Sequence, residues 1–249
     1  MADILRPPPS DLLDGAALFL DFDGTLVELA EAPDAIRVPG HLRPLLTRLS
    51  DRLGGCVAIV SGRAIADLDR HLGPVTLAMS GSHGLELRFA DGRLAPLAAS
   101  GALNAARGEI RRFAEETPGL LVEEKPASIA LHFRGAPDRA PQARALFEAL
   151  ARRTGLSVQP GKMVLELRPA GANKGDALAT LMGEPAFAGK RPVFVGDDLT
   201  DEHAFAAAAE LGGAGILVGP ARATAARWRL DDVAAVAAWL SNASGGLIA

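Results

Sequence analysis

The sequence has a single cysteine, no excess of basic residues and no long apolar run. Cys56 alone cannot close an internal disulfide, and its place in "CVAIV" reads as a buried structural thiol. Lys and Arg number 26 against 30 Asp and Glu, for a net charge of −4, so no general basic surface exists to hold nucleic acid or an anionic membrane. No apolar stretch approaches the ~20 residues a spanning helix needs. The opening "MADILRPPPSDLLDG" lacks a basic start followed by an apolar stretch, so no secretory signal is expected. Pro7, Pro8 and Pro9 read as a stiff arm ahead of the fold. The expectation is a reduced, cytoplasmic monomer with no nucleic-acid or membrane partner.

What the chain does have is apolar residues, 49% of 249, with 22% charged. That allows a sizeable core in one large domain or two smaller ones. Five short apolar runs stand out: "ALFL" (17–20), "CVAIV" (56–60), "VTLAM" (75–79), "PVFV" (192–195) and "GILV" (215–218). Continuous apolarity suggests strands covered on both faces, as in a parallel sheet. Helical stretches flank several of them, at 41–53, 64–72, 174–182 and 201–211, and 233–240 would close the fold. Alternating strands and helices predict an α/β fold with a doubly wound, mostly parallel sheet. Trp228 and Trp239 are expected to pack the closing helix and its approach.

Residues 102–169 read differently. A helix at 102–116 precedes two strands in 120–134. A second helix at 141–153 precedes two more in 156–169, with Pro160 and Gly161 at their turn. This weak repeat predicts a small α+β domain inserted into the α/β one. The expected organisation is an arm at 1–15, a core of 16–101 and 170–249, and an insert of 102–169.

The polar motifs follow the strands. "DFDGT" ends the first run, "SGR" (61–63) the second, and "GDDLTDE" (196–202) the fourth. Ligands of open α/β sheets bind at that carboxyl edge. Asp21, Asp23, Asp197 and Asp198 gathered there would repel one another unless a hard divalent cation sat among them, and Mg2+ takes carboxylate and phosphate oxygens. Each motif alone has a plainer reading. "SGR" is an ordinary turn, Asn173 a helix cap before "KG", and "GDDLTDE" a capping segment. Their order and common placement after or beside strands argue for chemistry.

In those four motifs, taken in order, the α/β part resembles the haloacid dehalogenase superfamily of phosphohydrolases. The resemblance implies that Asp21 attacks phosphorus and becomes an aspartyl phosphate. Asp23 would protonate the leaving alcohol and later deprotonate water. Ser61 and the Gly62 amide would bind phosphoryl oxygens, and Lys174 would hold the nucleophile. Asp21, Asp197 and the Asp23 carbonyl would hold Mg2+, with Asp198 and Asp201 supporting through water or hydrogen bonds.

A narrower likeness lies in "SGSHGLELR" (80–88), "EEKPASIALHFR" (123–134), "GKMVLELRPAGANKG" (161–175) and "GDDLTDEHAF" (196–205). Together these resemble the trehalose-6-phosphate phosphatase family, over nearly the whole chain after the arm. The residue before His83 departs from the apolar type frequent in the family; it is Ser82. The resemblance implies an insert that caps the site, with trehalose 6-phosphate as substrate and Mg2+ as cofactor. Glu123, Lys125 and Arg134 in the first hairpin, and Lys162 and Glu166 in the second, would face the glucose units. His83, Gly84 and Glu86 would contact sugar or cap, though His83 also reads as a residue that orients its loop. Arg63 has two readings, a phosphate contact or an ion pair with the acidic cluster. Two rival functions are another sugar-phosphate phosphatase or phosphomannomutase-like phosphotransferase, and a silent domain that binds trehalose 6-phosphate. The retained Asp21, Asp23, Lys174 and Asp197 argue against the silent domain, and "DFDGTL" places carboxylates where a dinucleotide would need glycines.

Overall fold

The computed structural model describes residues 5–30, 36–95, 101–125, 128–161, 163–171 and 173–245. The strands and helices run in chain order as β1 (Ala16–Leu20), α1 (Leu42–Arg52), β2 (Val57–Val60), α2 (Ile65–Leu72), β3 (Ala78–Gly81) and β4 (Glu86–Arg88). Next come α3 (Gly101–Glu115), β5 (Leu121–Lys125), β6 (Ser128–His132), α4 (Ala140–Thr154), β7 (Leu156–Gly161) and β8 (Val164–Pro169). The chain then runs through α5 (Lys174–Met182), β9 (Arg191–Gly196), α6 (Glu202–Glu210), β10 (Ala214–Val218), β11 (Trp228–Leu230) and α7 (Val233–Ala243). The chain divides into two compact units, 1–95 with 173–249, and 96–172.

The first unit holds a seven-stranded sheet in the order β11-β10-β9-β1-β2-β3-β4. All neighbours are parallel except β3 and β4. β1 and β2 are buried at every residue, which is why their sequences lack polar alternation. Helices supply the cover: Leu42, Leu45, Leu46 and Leu49 of α1, and Ala204, Phe205 and Ala208 of α6, all join one continuous core. Phe194 and Phe205 meet edge to face at 5.8 Å between ring centres. Gly215 lets α6 lie that close, since a Cβ there would stand 2.5 Å from the Phe205 ring.

Three local readings are refined here. The third strand begins at Ala78 and takes in Ser80 and Gly81, because these small residues face crowded space and not because they are apolar. At Gly81 a Cβ would lie 2.7 Å from the Ile65 nitrogen. Trp228 opens a short parallel edge strand. The start of the chain is more than an arm: Leu13 is buried in the core, and the Arg6 carbonyl accepts the Arg229 N–H at 3.0 Å.

The second unit is a four-stranded antiparallel sheet, β5-β6-β8-β7, with α3 and α4 on one face. Ile129, Leu131, Leu165 and Leu167 point to those helices and meet Leu103, Ile110, Phe147 and Leu150. Pro160 and Gly161, expected at the turn, belong to β7, opposite Leu165 and Val164. Proline is tolerated there because β7 is an edge strand and one of its sides needs no donor. Met163, just ahead of β8, lies in a turn with φ +62°. Among the described residues, no helix is long and apolar enough to cross a membrane.

Candidate active site

β9, β1 and β2 lie side by side and parallel, so their carboxyl ends deliver Asp197, Asp21 and Ser61 to one edge of the sheet. The chain order reverses direction across β1, the kind of point where open α/β sheets bind ligands. Asp21 is anchored by its N–H on the Val195 carbonyl at 2.9 Å, and Ser61 by its N–H on the Ser80 carbonyl at 2.9 Å. Lys174 is the first residue of α5. Asn173 caps that helix, accepting the N–H groups of Gly175 and Asp176 at 2.8 and 3.1 Å, while Asp176 accepts the Asn173 N–H. This reciprocal cap fixes where Lys174 leaves the backbone. Its Nζ then bridges Asp21 Oδ1 at 2.7 Å and Asp201 Oδ1 at 2.6 Å, with all three side chains buried.

Carboxylate oxygens of Asp21, Asp197 and Asp201 lie within 4.8 Å of one another. Burial pushes the Asp21 carboxyl well above its usual range, against the pull of Lys174, and Asp201 adds to the rise. Burial, and then Asp201, also raise Asp197. Burial works against the Lys174 charge too, but Asp21 and Asp201 outweigh it and hold the ammonium above its normal value. One ammonium thus faces three carboxylates in poorly solvated space. Another cation would relieve the repulsion, and an all-oxygen donor set suits Mg2+. The backbone makes room for this approach. Gly24, at φ +76°, passes so near Asp197 that a Cβ would stand 2.2 Å from its Oδ2.

Asp198 and Asp201 differ in their placement. Asp201 is fully buried and its carboxylate belongs to the acidic group. Asp198 is exposed and caps the turn Leu199–Asp201, its Oδ1 accepting the Leu199 N–H at 2.6 Å. Its own N–H donates to Asp201 Oδ2 at 2.9 Å.

Arg63 makes the ion pair, the second of its two readings. Its guanidinium grips both oxygens of Asp23, at 2.7 and 2.8 Å, and reaches Asp67 Oδ2 at 2.7 Å. Its N–H donates to Ser61 Oγ at 3.1 Å, so one residue ties the first two motifs together. His83 lies against Gly62, where a Cβ would come within 2.6 Å of the imidazole. The His83 N–H donates to the Ser61 carbonyl at 3.0 Å. Ser82, His83 and Gly84 are all left-handed, with φ of +50°, +57° and +98°. That is a costly conformation for the first two. Ser82 offsets it by donating its hydroxyl to Glu86, which explains a polar residue at this position. The other Glu86 oxygen accepts the Ile65 N–H at 3.2 Å, at the start of α2. Glu86, expected toward sugar or cap, is thus engaged in holding this loop. Gly84 can be nothing larger, since a Cβ would meet the Asn173 carbonyl at 2.5 Å.

In the second unit, cross-strand register places Glu123, Ala130, Glu166 and Gln159 in one row across the sheet face opposite the helices. Lys125 and Ser128 lie in the adjacent row. Glu166 Oε1 accepts the Ser128 hydroxyl at 2.5 Å and stands 3.5 Å from Lys125 Nζ. His132 Nε2 is 2.9 Å from Glu123. Arg134 lies beyond the end of β6 and lines a separate hollow with His132 and Met163. Lys162 lies outside the described residues. Ser128, bonded to Glu166, and Gln159, opposite it, were not singled out from the sequence. Strand alternation from Lys125 and Glu166, combined with the register, would have found them.

Comparison with known proteins fits this geometry. The family profile described as trehalose-phosphatase matches residues 19–234. A probable trehalose-phosphate phosphatase of Sinorhizobium fredii is 44% identical over 220 residues, covering 88% of this chain and 83% of that one. The trehalose-6-phosphate phosphatase of Escherichia coli is 36% identical over 228 residues, covering 90% and 85%. Among solved structures, the C-terminal domain of Candida albicans trehalose-6-phosphate phosphatase superposes with a TM-score of 0.73 at 26% identity, over 98% and 99% of the two chains. A trehalose-6-phosphate phosphatase related protein gives 0.70 at 30% identity, over 92% and 96%. The chain belongs to the trehalose-phosphatase family, phosphoric monoester hydrolases built on the haloacid dehalogenase fold.

Proposed function

We propose that this protein hydrolyses trehalose 6-phosphate to trehalose and inorganic phosphate through an aspartyl phosphate on Asp21, with Mg2+ as cofactor. The reading rests first on Lys174, held between Asp21 and Asp201 beside Asp197 at the sheet edge. The names of the curated relatives supply the substrate.

In the first step an Asp21 oxygen bonds to phosphorus and the bond from phosphorus to the sugar oxygen breaks. Asp23 gives that oxygen its proton. In the second, water attacks the same phosphorus, Asp21 is released, and Asp23 takes the water's proton. Splitting one displacement in two lets a single carboxylate serve as acid and then as base. Ser61 and the Gly62 amide hold phosphoryl oxygens, while Lys174 keeps Asp21 aligned and offsets charge. Asp21, Asp197 and Asp201, with the Asp23 carbonyl, are the groups that would hold Mg2+. The ion supplies charge stabilisation for the phosphoryl oxygens when bound.

The polar sheet face of the second unit provides the sugar-recognising groups. Glu123, Lys125 and Glu166 combine acceptors and donors suited to neighbouring hydroxyls. The test is phosphate release from trehalose 6-phosphate beside glucose 6-phosphate and sucrose 6-phosphate, with and without Mg2+. Mass measurement of acid-quenched enzyme should find one phosphoryl group on Asp21. Preference for another phosphosugar would assign the site to that ester.

A further inference from the structure

One arginine outside the motifs touches the backbone of the acidic loop. Arg222 lies in the segment between β10 and β11. Its NH2 donates to the carbonyls of Asp198 at 2.9 Å and Asp197 at 3.3 Å. Its NH1 pairs with Glu202 and also reaches the Ala223 carbonyl at 3.3 Å. The other Glu202 oxygen accepts the Ala225 N–H at 2.8 Å, so the carboxylate is held from two directions. Glu202 is the first residue of α6, and Arg222 and Glu202 are each about three-quarters covered.

The geometry points to Arg222 and Glu202 as a positioning pair that sets the divalent-cation affinity of the acidic site without touching the ion. The inference rests on the Mg2+ reading above. Asp197 is the least buried member of the acidic group, and its neighbour Asp198 is exposed. Three carboxylates close together repel, so the Asp197 segment is under constant pressure to swing outward. On one side Asp197 lies against Gly24 and is within 3.5 Å of the Thr25 hydroxyl. On the other side the two peptide carbonyls are held by Arg222, and Glu202 fixes the guanidinium. Without that clamp the loop relaxes away from Asp21, and the site must be reassembled each time a cation binds. Part of the binding energy then goes into ordering the loop.

A purely electrostatic role predicts the opposite sign. Arg222 is a cation near a cation site, so its removal would tighten Mg2+ binding. The sign of the effect therefore decides between the two roles.

The experiment is calorimetric titration of Mg2+ into the whole protein, wild type against Arg222→Met, Arg222→Lys and Glu202→Gln. Alongside it runs the Mg2+ dependence of turnover. Arg222→Met should weaken Mg2+ binding about tenfold. Its kcat at saturating Mg2+ should stay near wild type, a split that general structural damage does not produce. Arg222→Lys, which keeps one donor for the carbonyls, should fall between the two. Glu202→Gln should weaken binding about threefold. Unchanged or tighter binding in Arg222→Met would overturn the inference. If that variant fails to melt cooperatively, Glu202→Gln decides, and wild-type affinity there overturns it equally. Absence of Mg2+ binding by the wild type would instead remove the cofactor reading, and the inference with it.

Discussion

Arg63 holds both oxygens of Asp23 in a two-bond grip, at 2.7 and 2.8 Å, while its remaining reach is taken by Asp67. A bidentate guanidinium fixes the plane of a carboxylate as well as its position. A guanidinium bonded to both oxygens favours the unprotonated carboxylate, the form that takes the water's proton in the second step, so one of the two bonds must open before Asp23 carries a proton to the sugar oxygen. Arg63→Met should lower kcat by about 10- to 100-fold while changing KM little, because the loss falls on proton transfer. Steady-state kinetics with trehalose 6-phosphate checks it. A large rise in KM at unchanged kcat would make Arg63 a substrate-binding residue instead.

Asp21→Asn should abolish turnover, by more than about a thousandfold, with the fold intact. An amide oxygen is too weak a nucleophile to displace the sugar oxygen from phosphorus. Lys174 keeps its bond to Asp201, so the buried ammonium retains one partner. Circular dichroism and phosphate release measure the two parts. Turnover within about tenfold of wild type would rule out a covalent role.

Asp197 gives a prediction about stability. Burial and the neighbouring Asp201 hold its carboxyl above the ordinary range. The folded state therefore prefers the protonated form, and stability from this group is present in acid and lost as pH rises through the raised value. At neutral pH without metal, the ionised group opposes folding. Asp197→Asn should raise the melting temperature by about 2–4 °C in EDTA at neutral pH, with the difference fading toward pH ~4. Added Mg2+ should stabilise the wild type and leave the variant nearly unmoved. Thermal scans across pH, with and without Mg2+, test all three statements.

The central strands were legible because burial on both faces leaves an unmistakable apolar run, as in β1 and β2, and because the motifs end those runs. β4 and β11 were not. Each is three residues long and only partly buried, so neither shows a run or a clear alternation. Pro160 misled in a different way, since proline marks turns more often than edge strands. Asp21, Ser61, Lys174 and Asp197, singled out by the order of their motifs, come to one region of the sheet edge. The contacts of Arg222 to the acidic loop were not legible, because they run to backbone carbonyls 24 and 25 residues away, which no side-chain pattern records. Ser82 was visible only as a departure, and its meaning needed the left-handed loop and Glu86.

The last prediction tests the polar sheet face proposed to recognise sugar, where the proposed substrate is most exposed to disproof. Glu166 is the hub of that face, bonded to the Ser128 hydroxyl and close to Lys125, in register with Glu123 across Ala130. Its side chain is about one-quarter exposed, so it can still reach a ligand. Glu166→Ala and Lys125→Ala should each reduce activity on trehalose 6-phosphate by more than tenfold, over ~1.4 kcal/mol of transition-state stabilisation. Hydrolysis of p-nitrophenyl phosphate, which has no sugar, should stay near its starting level. Part of the loss should fall on kcat, because binding energy from the remote end of a substrate is used to align its reacting end. Glu166→Gln separates shape from charge: it keeps an acceptor, so it should recover much of the lost activity if hydroxyl bonding is the role. Equal damage to both substrates would make these residues supports of the fold. No damage to either would place sugar recognition elsewhere and leave trehalose 6-phosphate without a structural reason on this chain.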